Sequence, residues 1–371
     1  MLPGVLGQQL TDLTRGAGRF VDLFAGSGTV VKYVATAQRV PTVAVDLMAF
    51  SGVLTAATIE RTSAIDASAL MKKWKVRCGQ YLQERHSELL SARKASQPGS
   101  FETVMSAREL WEGRHDMGFI SRHYGGHYYS PEQALRLDAW YATMPPRAPH
   151  RTVALSALLQ VASRASASPG HTAQPFQPTT RLLPHIALAW GINIDVELER
   201  KLRFTAASWA LERGRVHVGD GIEFVNRSVT HDDVVFCDPP YSNAQYSRFY
   251  HVLEGIAVGG WSSVSGAGRA PVAENRPTSS FSLKSRASAA SLSLLNSLAA
   301  KGATVLWTYP EGERSNGLTV GDIREFAVSS FAVEEYRVPM RHSTLGGSPL
   351  NHAVRHGRKE LFEVLFKLTP K

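Results

Sequence analysis

The spacing of apolar residues changes period along the chain, and each change marks an element. Near the start, RFVDLF and PTVAVD are short runs rich in β-branched residues, as strands are, and the residues between them show helical spacing from Val30 to Thr36. A further helix is expected after PTVAVD, so the opening reads strand, glycine turn, helix, strand, helix. From about Glu60 to Arg213 the period is helical. Within that stretch RHYGGHYYSPEQALRLDAW carries a Gly-Gly break, followed by Ser130 and Pro131 where a helix needs its N-cap and first-turn residue. Strand-like runs return in RVHVGD, DDVVFCD and ATVLWTYP. Between the last two, VGGWSSVSGAGRAPVAENRPTSSFSLKSRASAA is rich in Gly, Ser and Pro and is expected to be a long, mobile loop. Strands alternating with helices at both ends predict one α/β sheet, built from residues 1–59 and 206–371 and interrupted by a mainly helical insertion over 60–205.

Composition narrows the class more than the function. The chain has 371 residues, 43% hydrophobic and 20% charged, as a globular domain or two would. It has no run of about 18 apolar residues, so no membrane span is expected. The start, MLPGVLGQQLTDLT, lacks the basic beginning and apolar core of a signal peptide. Two cysteines, Cys78 and Cys237, stand far apart among core-like residues, which suggests a reducing compartment, the cytoplasm, and no disulfide framework. A formal charge of +9 suits a polyanionic partner, although solubility alone accounts for it equally well.

Two stretches carry the candidate chemistry. In DLFAGSGT, Gly26 and Gly28 stand where a strand passes into a helix, so main chain can approach a ligand with no Cβ in the way. A dinucleotide fingerprint would place a third glycine where this chain has Val31, which disfavours NAD. The next strand ends at Asp46, where a carboxylate can take both hydroxyls of a ribose. The plainer alternatives are that Asp46 caps the following helix and that Gly26 only makes a tight turn.

The second stretch is CDPPY. Asp238 ends an apolar strand, where α/β sheets place ligands. Pro239 and Pro240 have no N–H and a fixed φ, so their carbonyl oxygens are expected to point outward and stay free to accept. An acid plus a carbonyl acceptor can hold both hydrogens of an amino group conjugated to a ring, which draws its lone pair out of conjugation and makes it a nucleophile. Tyr241 can lie flat on that ring. The alternative, that Asp-Pro-Pro merely turns the chain, leaves the aromatic and the upstream glycine turn unexplained.

FAGSG followed by DPPY resembles the DNA adenine-N6 methyltransferases that use S-adenosylmethionine. The order of glycine motif, long insertion and catalytic tetrapeptide is similar to the alpha group, which includes the Dam-type enzymes. The likeness extends into DPPYSNAQYSRFYHVLEGIA, HYGGHYYSPEQALRLDAW and ASRASASPGHTAQPF, which look like a bacterial subfamily of adenine-specific methylases. The resemblance implies a Rossmann-like class I methyltransferase sheet with an inserted helical target-recognition domain. It implies that Phe24, Ala25, Gly26 and Gly28 cradle the methionine part of S-adenosylmethionine, that Asp46 binds its ribose and that Asp220, in HVGDGIEF, lies near its adenine. Asp238, Pro239, Pro240 and Tyr241 correspond to the catalytic motif, with Asp238 also bordering the cofactor and no metal required. Double-stranded DNA is the implied partner, and a partner protein of a restriction or defence system stays open.

Other residues are candidates with competing readings. Lys72, Lys73, Lys75, Arg77, Arg85, Arg93 and Lys94 run through the insertion as a phosphate-contacting stretch or a solvated helix face. Gln245, Tyr246, Arg248, Tyr250 and His251 follow the tetrapeptide at helical spacing, so some would line the DNA face while others pack. Trp307 and Tyr309 either close a base pocket or belong to the core. His115, His123 and His127 suggest zinc, but no cysteine pair accompanies them. Alpha-group enzymes usually begin with a lysine-bearing motif, and the residues before RFVDLF hold no lysine. That departure keeps a further reading in view, a methylase-like DNA-binding component with little activity alone; a third reading keeps the enzyme and makes it an RNA adenine-N6 methyltransferase.

Overall fold

The computed structural model describes residues 4–340 and 361–371. Helix α1 (Val5–Thr14) leads into strand β1 (Arg19–Asp22), helix α2 (Thr29–Ala37), strand β2 (Thr42–Asp46) and helix α3 (Ala49–Ile59). Helices α4 (Ala67–Glu84), α5 (His86–Ala95), α6 (Phe101–Glu109) and α7 (Phe119–Tyr124) follow. The helical run continues with α8 (Pro131–Ala142), α9 (His150–Ala165), α10 (Leu183–Trp190) and α11 (Ile194–Ala206). The chain then returns to the sheet through β3 (Arg215–Val218), α12 (Gly221–Ser228), β4 (Asp233–Cys237), α13 (Tyr246–Phe249) and α14 (His251–Val258). It ends with α15 (Ala287–Lys301), β5 (Thr304–Pro310), α16 (Val320–Val328), β6 (Phe331–Met340) and β7 (Leu361–Pro370).

The strands form one sheet in the order β3-β2-β1-β4-β5-β7-β6. The first five are mutually parallel, and β7 runs antiparallel between β5 and β6. All five strands expected from the apolar runs form. The β6–β7 pair was not expected, because Glu334, Glu335 and Arg337 break up the apolar pattern of β6. Alternation along the strands divides the core. Phe20, Ala44, Val234, Leu306 and Leu365 face α1 and α2, whereas Val21, Val43, Val235, Val305 and Phe366 face α12, α15 and α16. This is the doubly covered α/β sheet of a Rossmann-like fold. No helix among the described residues is long and apolar enough to cross a membrane.

Helices α4, α7, α8, α9 and α11 bury their apolar stripes in a third cluster, shared with Met48, Phe50 and Ala57 around α3 and with Val252, Leu253 and Ile256 of α14, while α5, α6 and α10 pack in two smaller clusters. At its centre the Trp74 indole meets Trp140 edge to face at 4.9 Å and donates to the Trp140 carbonyl. The expected start of α8 is borne out: Ser130 caps it reciprocally with Gln133, and Pro131 opens the first turn. Two polar ties join these helices to the sheet. The buried Arg61 guanidinium donates to carbonyls of Ala57, Ser63, Thr205, Ala206 and Ser208, so the two ends of the helical run close on one cation. The buried Glu254 carboxylate of α14 accepts from Ala49 N and Phe50 N, each at 2.9 Å, and caps α3 from across the sequence.

The stretch expected to be a mobile loop is instead tied down along its length. Phe281 is buried in the sheet core, Ser279 exchanges two hydrogen bonds with Gln245, and the Gly268 carbonyl accepts from Tyr128 Oη. The final residues of the stretch, from Ala287, belong to α15. Its Gly, Ser and Pro content signalled irregular backbone, and irregular is not the same as untethered.

Glu254→Ala leaves two buried N–H groups at the head of α3 without acceptors. Stability is expected to fall by about 2–4 kcal/mol, read as a lower urea midpoint with an unchanged slope. A midpoint equal to that of the wild type would show that water replaces the carboxylate.

Candidate active site

Strands β2, β1 and β4 end together, and β1 is where the sheet's connections diverge in opposite directions, the position at which open α/β sheets hold ligands. A cavity of about 290 Å³ opens there. Its walls come from the glycine turn after β1, the end of β2 with the start of α3, the start of α12, the segment after β4, and the loop around Phe281.

The glycine turn has the geometry that only glycine tolerates. Gly26 and Gly28 sit at φ 53° and 77°, and a Cβ on Gly28 would meet Thr55 Oγ1 at 2.7 Å. The turn is stitched to β2 and α3. Gly26 N donates to Asp46 Oδ2 at 2.8 Å, Met48 N donates to Asp46 Oδ1 at 2.8 Å, and Ser51 Oγ donates to the Gly26 carbonyl. Each Asp46 oxygen keeps lone-pair capacity toward the cavity it lines. Burial raises its pKa, and these hydrogen bonds oppose the rise. The N-terminal residues hold no lysine, but α2 supplies one: Lys32 Nζ donates to the Ser27 carbonyl at 2.7 Å, and burial lowers its pKa to about 8. Asp220 caps α12, with Oδ1 accepting from Ile222 N and Glu223 N, and lines the cavity.

Alternation aligns the acids. Asp22, Asp46 and Asp238 stand two residues beyond Phe20, Ala44 and Phe236, so they emerge on the α1–α2 side of the sheet. Asp22, buried inside an apolar strand, was not singled out as a candidate. Burial, with the charges of Asp238 and Asp46 adding to it, raises its carboxyl to about 8, although Phe24 N donates to it.

Asp238 opens onto the cavity, yet protein surrounds it closely enough to raise its pKa to about 6, a rise that the hydrogen bond from Thr308 opposes. Thr308 Oγ1 donates to its Oδ1 at 3.0 Å. On the far side Glu363 of β7 is buried, and burial together with the Asp238 charge raises it to about 8. The expectation that both proline carbonyls stay free is corrected at Pro240, whose oxygen accepts from Asn316 Nδ2 at 3.2 Å. Asn316 is a buried hub: it also donates to the Phe281 carbonyl and accepts from Tyr309 Oη and Leu318 N. Pro239 is buried, and the half-buried Tyr241 ring packs beside the apolar core with the Arg314 guanidinium 5.9 Å from its centroid.

Phe24, Ala25, Gly26, Asp46, Asp220, Asp238 and Pro240 thus share one cavity, with Gly28 behind the turn. Gln245 and Tyr246 also line it, and Tyr246 stacks on Tyr250 at 6.0 Å. Trp307 and Tyr309 do not reach it; both are core residues of β5. His123 is buried with Nε2 3.2 Å from the Trp261 carbonyl. Among the described residues no group of three His, Cys, Asp or Glu is placed to hold a metal. Cys237 is buried in β4 with its thiol pKa raised by burial. Thr308 had a readable signal, since strand parity with Leu306 turns it toward Asp238. Phe281, Asn316 and Glu363 had none, because long-range packing alone brings them here.

Residues 198–301 match the family model of the D12 class N6 adenine-specific DNA methyltransferases. The matched segment contains Asp220 and the Asp238–Tyr241 tetrapeptide, and the match supports an adenine-N6 DNA methyltransferase. No curated protein matches the chain.

Asp22 keeps its proton in the folded protein up to about pH 8, whereas the unfolded chain releases it near 3.8. Between those values the folded state binds more protons, so this residue makes stability fall as pH rises. Asp22→Asn keeps the shape and removes the titration. Its urea midpoint is expected to decline less than that of the wild type between pH 5 and 8, and parallel declines would rule out the buried proton.

Proposed function

We propose that this chain transfers a methyl group from S-adenosylmethionine to the exocyclic N6 of an adenine in double-stranded DNA, with the base turned out of the helix. The observation that carries this reading is the position of Asp238: it shares one cavity with the glycine turn and Asp46, and Thr308 orients it.

The donor set suits the cofactor. A glycine turn offers backbone at close approach, Asp46 offers acceptors for two ribose hydroxyls, and Asp220 stands at the next strand end beside the apolar Leu47 and Phe236. Phe24 and Phe281, edge to face at 5.0 Å, make an aromatic wall. When bound, S-adenosylmethionine supplies an electrophilic methyl group, and its sulfonium takes back the electron pair of the broken C–S bond.

A duplex hides adenine N6 from a cavity of this depth, so the base is extruded at a cost of about a few kcal/mol. Tyr241 stacks on the ring, a contact worth about 1–3 kcal/mol. The Asp238 carboxylate and the Pro239 carbonyl each accept one N6 hydrogen, which turns the lone pair toward the methyl carbon. One N6 proton leaves through Asp238 to cavity water after the C–N bond forms. Asn316 keeps the tetrapeptide and Phe281 in register by holding the Pro240 and Phe281 carbonyls together.

Methyl transfer from labelled S-adenosylmethionine to unmethylated DNA, followed by nucleoside analysis, tests this. N6-methyladenine is expected from the wild type and at least about 10²-fold less from Asp238→Ala. Unchanged product in the variant, or methylation of cytosine, would overturn the assignment; so would a wild type that neither binds cofactor nor transfers.

The ionised Asp238 is the active form, so kcat/KM is expected to fall as pH drops through about 6. Thr308 stabilises the ionised form, and its loss raises the Asp238 pKa. Thr308→Val therefore moves the acid limb to higher pH, and an unmoved limb would assign that limb to another group.

A further inference from the structure

Three segments that the family resemblance marked remain without a role: HYGGHYY, ASRASASPGHTAQPF and SRFYH. They converge on one place. Tyr128 Oη lies 2.7 Å from both the Thr172 and the Gly268 carbonyls. Thr172 donates to the Phe249 carbonyl through N and Oγ1, and the His171 ring stands edge-on to Phe249 at 4.6 Å. His251 Nε2 lies 2.8 Å from the Gly268 carbonyl.

Besides Arg164, which lies within the second segment at the end of α9, five arginines belong to these segments or border them. Arg248 is exposed on α13, next to the cavity-lining Ser247, and Arg276 precedes the cavity-lining Pro277. Arg269 donates through Nε to the His123 carbonyl, beside Arg122. Arg108 reaches the Gly126 and Phe176 carbonyls and Gln177 Oε1. Those partners are neutral and fix the guanidinium groups, while Glu112, outside ion-pair distance, also acts on Arg269 through its charge. Among the described residues, no carboxylate lies within ion-pair distance of Arg108, Arg122, Arg248, Arg269 or Arg276. The Nε atoms of Arg122 and Arg276 are buried with no acceptor at all. On the same helical run Arg93, Arg114, Arg136, Arg200 and Arg203 are neutralised by Glu132, Asp116, Asp195, Glu197 and Glu199, whereas Arg77, Arg147, Arg151, Arg164 and Arg181 are, like the five, outside the ion pairs of the described residues.

We propose that Arg108, Arg122, Arg248, Arg269 and Arg276 form a phosphate-binding rim that holds the backbone of the DNA strand whose base enters the cavity. This rests on the proposed function above. The adjoining cavity is lined by Asp46, Asp220 and Asp238, and by Asp22, which keeps its proton. A polyanion is repelled from that interior and held at the rim, while an uncharged base is free to enter. In the basic stretch of α4 and α5, Arg85 and Arg93 stand in ion pairs with Glu84 and Glu132, which makes that stretch a weaker phosphate site at those two positions. His123 and His127 do not add charge: burial, with neighbouring arginines, lowers them to about 4 and about 3.

The test is fluorescence anisotropy of an unmethylated duplex across a salt series, with methyl transfer measured on the same preparations. Arg248→Gln and Arg276→Gln are compared with the wild type and with Arg324→Gln, which lies on α16 paired to Glu335. Each rim variant is expected to reduce the slope of log K against log salt by about 1, raise KM for DNA and leave kcat at saturating DNA unchanged. Arg248→Lys, which keeps the charge, is expected to restore the slope. If Arg276→Gln does not fold, the exposed Arg248 position carries the result. Rim slopes equal to those of the wild type and Arg324→Gln, with a wild type that binds and methylates DNA, would overturn the rim alone. Preference for structured RNA over duplex DNA would overturn the choice of ligand. A wild type that neither binds nor methylates DNA would defeat the proposed function, and the rim with it.

Discussion

Carboxylates that accept main-chain N–H groups hold the working edge of this sheet together. Asp46 takes Gly26 N and Met48 N, Glu254 takes Ala49 N and Phe50 N, Asp220 takes Ile222 N and Glu223 N, and Asp22 takes Phe24 N. These are the groups that a strand end or a helix start leaves without partners. Had backbone satisfied them, the turns would have closed on themselves and left no cavity. Because side chains satisfy them, the chain opens at the strand ends while every elbow stays fixed.

The arrangement has an electrostatic consequence. It gathers acids on one side of the sheet and raises their pKa values, with Asp22 and Glu363 brought to about 8 and Asp238 to about 6. A chain of formal charge +9 thus carries an acidic cavity within a basic body. Asp238, with the smallest of these three rises, is the one exposed to solvent, and Asp22 and Glu363 are enclosed. Solvent access, more than residue type, separates their behaviour.

The helical run depends on the sheet as much as the sheet depends on it. Its core merges with α3 and α14, and Arg61 fastens its two ends together. Glu254 links α14, beyond the tetrapeptide, to α3, which follows Asp46. A shift of the helical run would therefore be felt at both walls of the cavity.

Local chemistry made much of this legible from residue order alone. β-branched runs marked the five parallel strands, Ser130 and Pro131 marked a helix start, and FAGSG and DPPY marked the strand ends where a ligand belongs. Such signals are readable because they depend on neighbours a few residues away: a left-handed turn needs glycine, and an N-cap needs a short acceptor. The antiparallel β6–β7 pair, the anchoring of the 259–286 loop, the Asn316 hub, and the approach of Glu363 to Asp238 were decided only by tertiary structure. Each depends on contacts between residues far apart in the chain, where composition still permits several partners. The arginine rim shows the same division. Its residues were visible as charges in the sequence, but whether a carboxylate stood beside each one was settled only when the chain had folded.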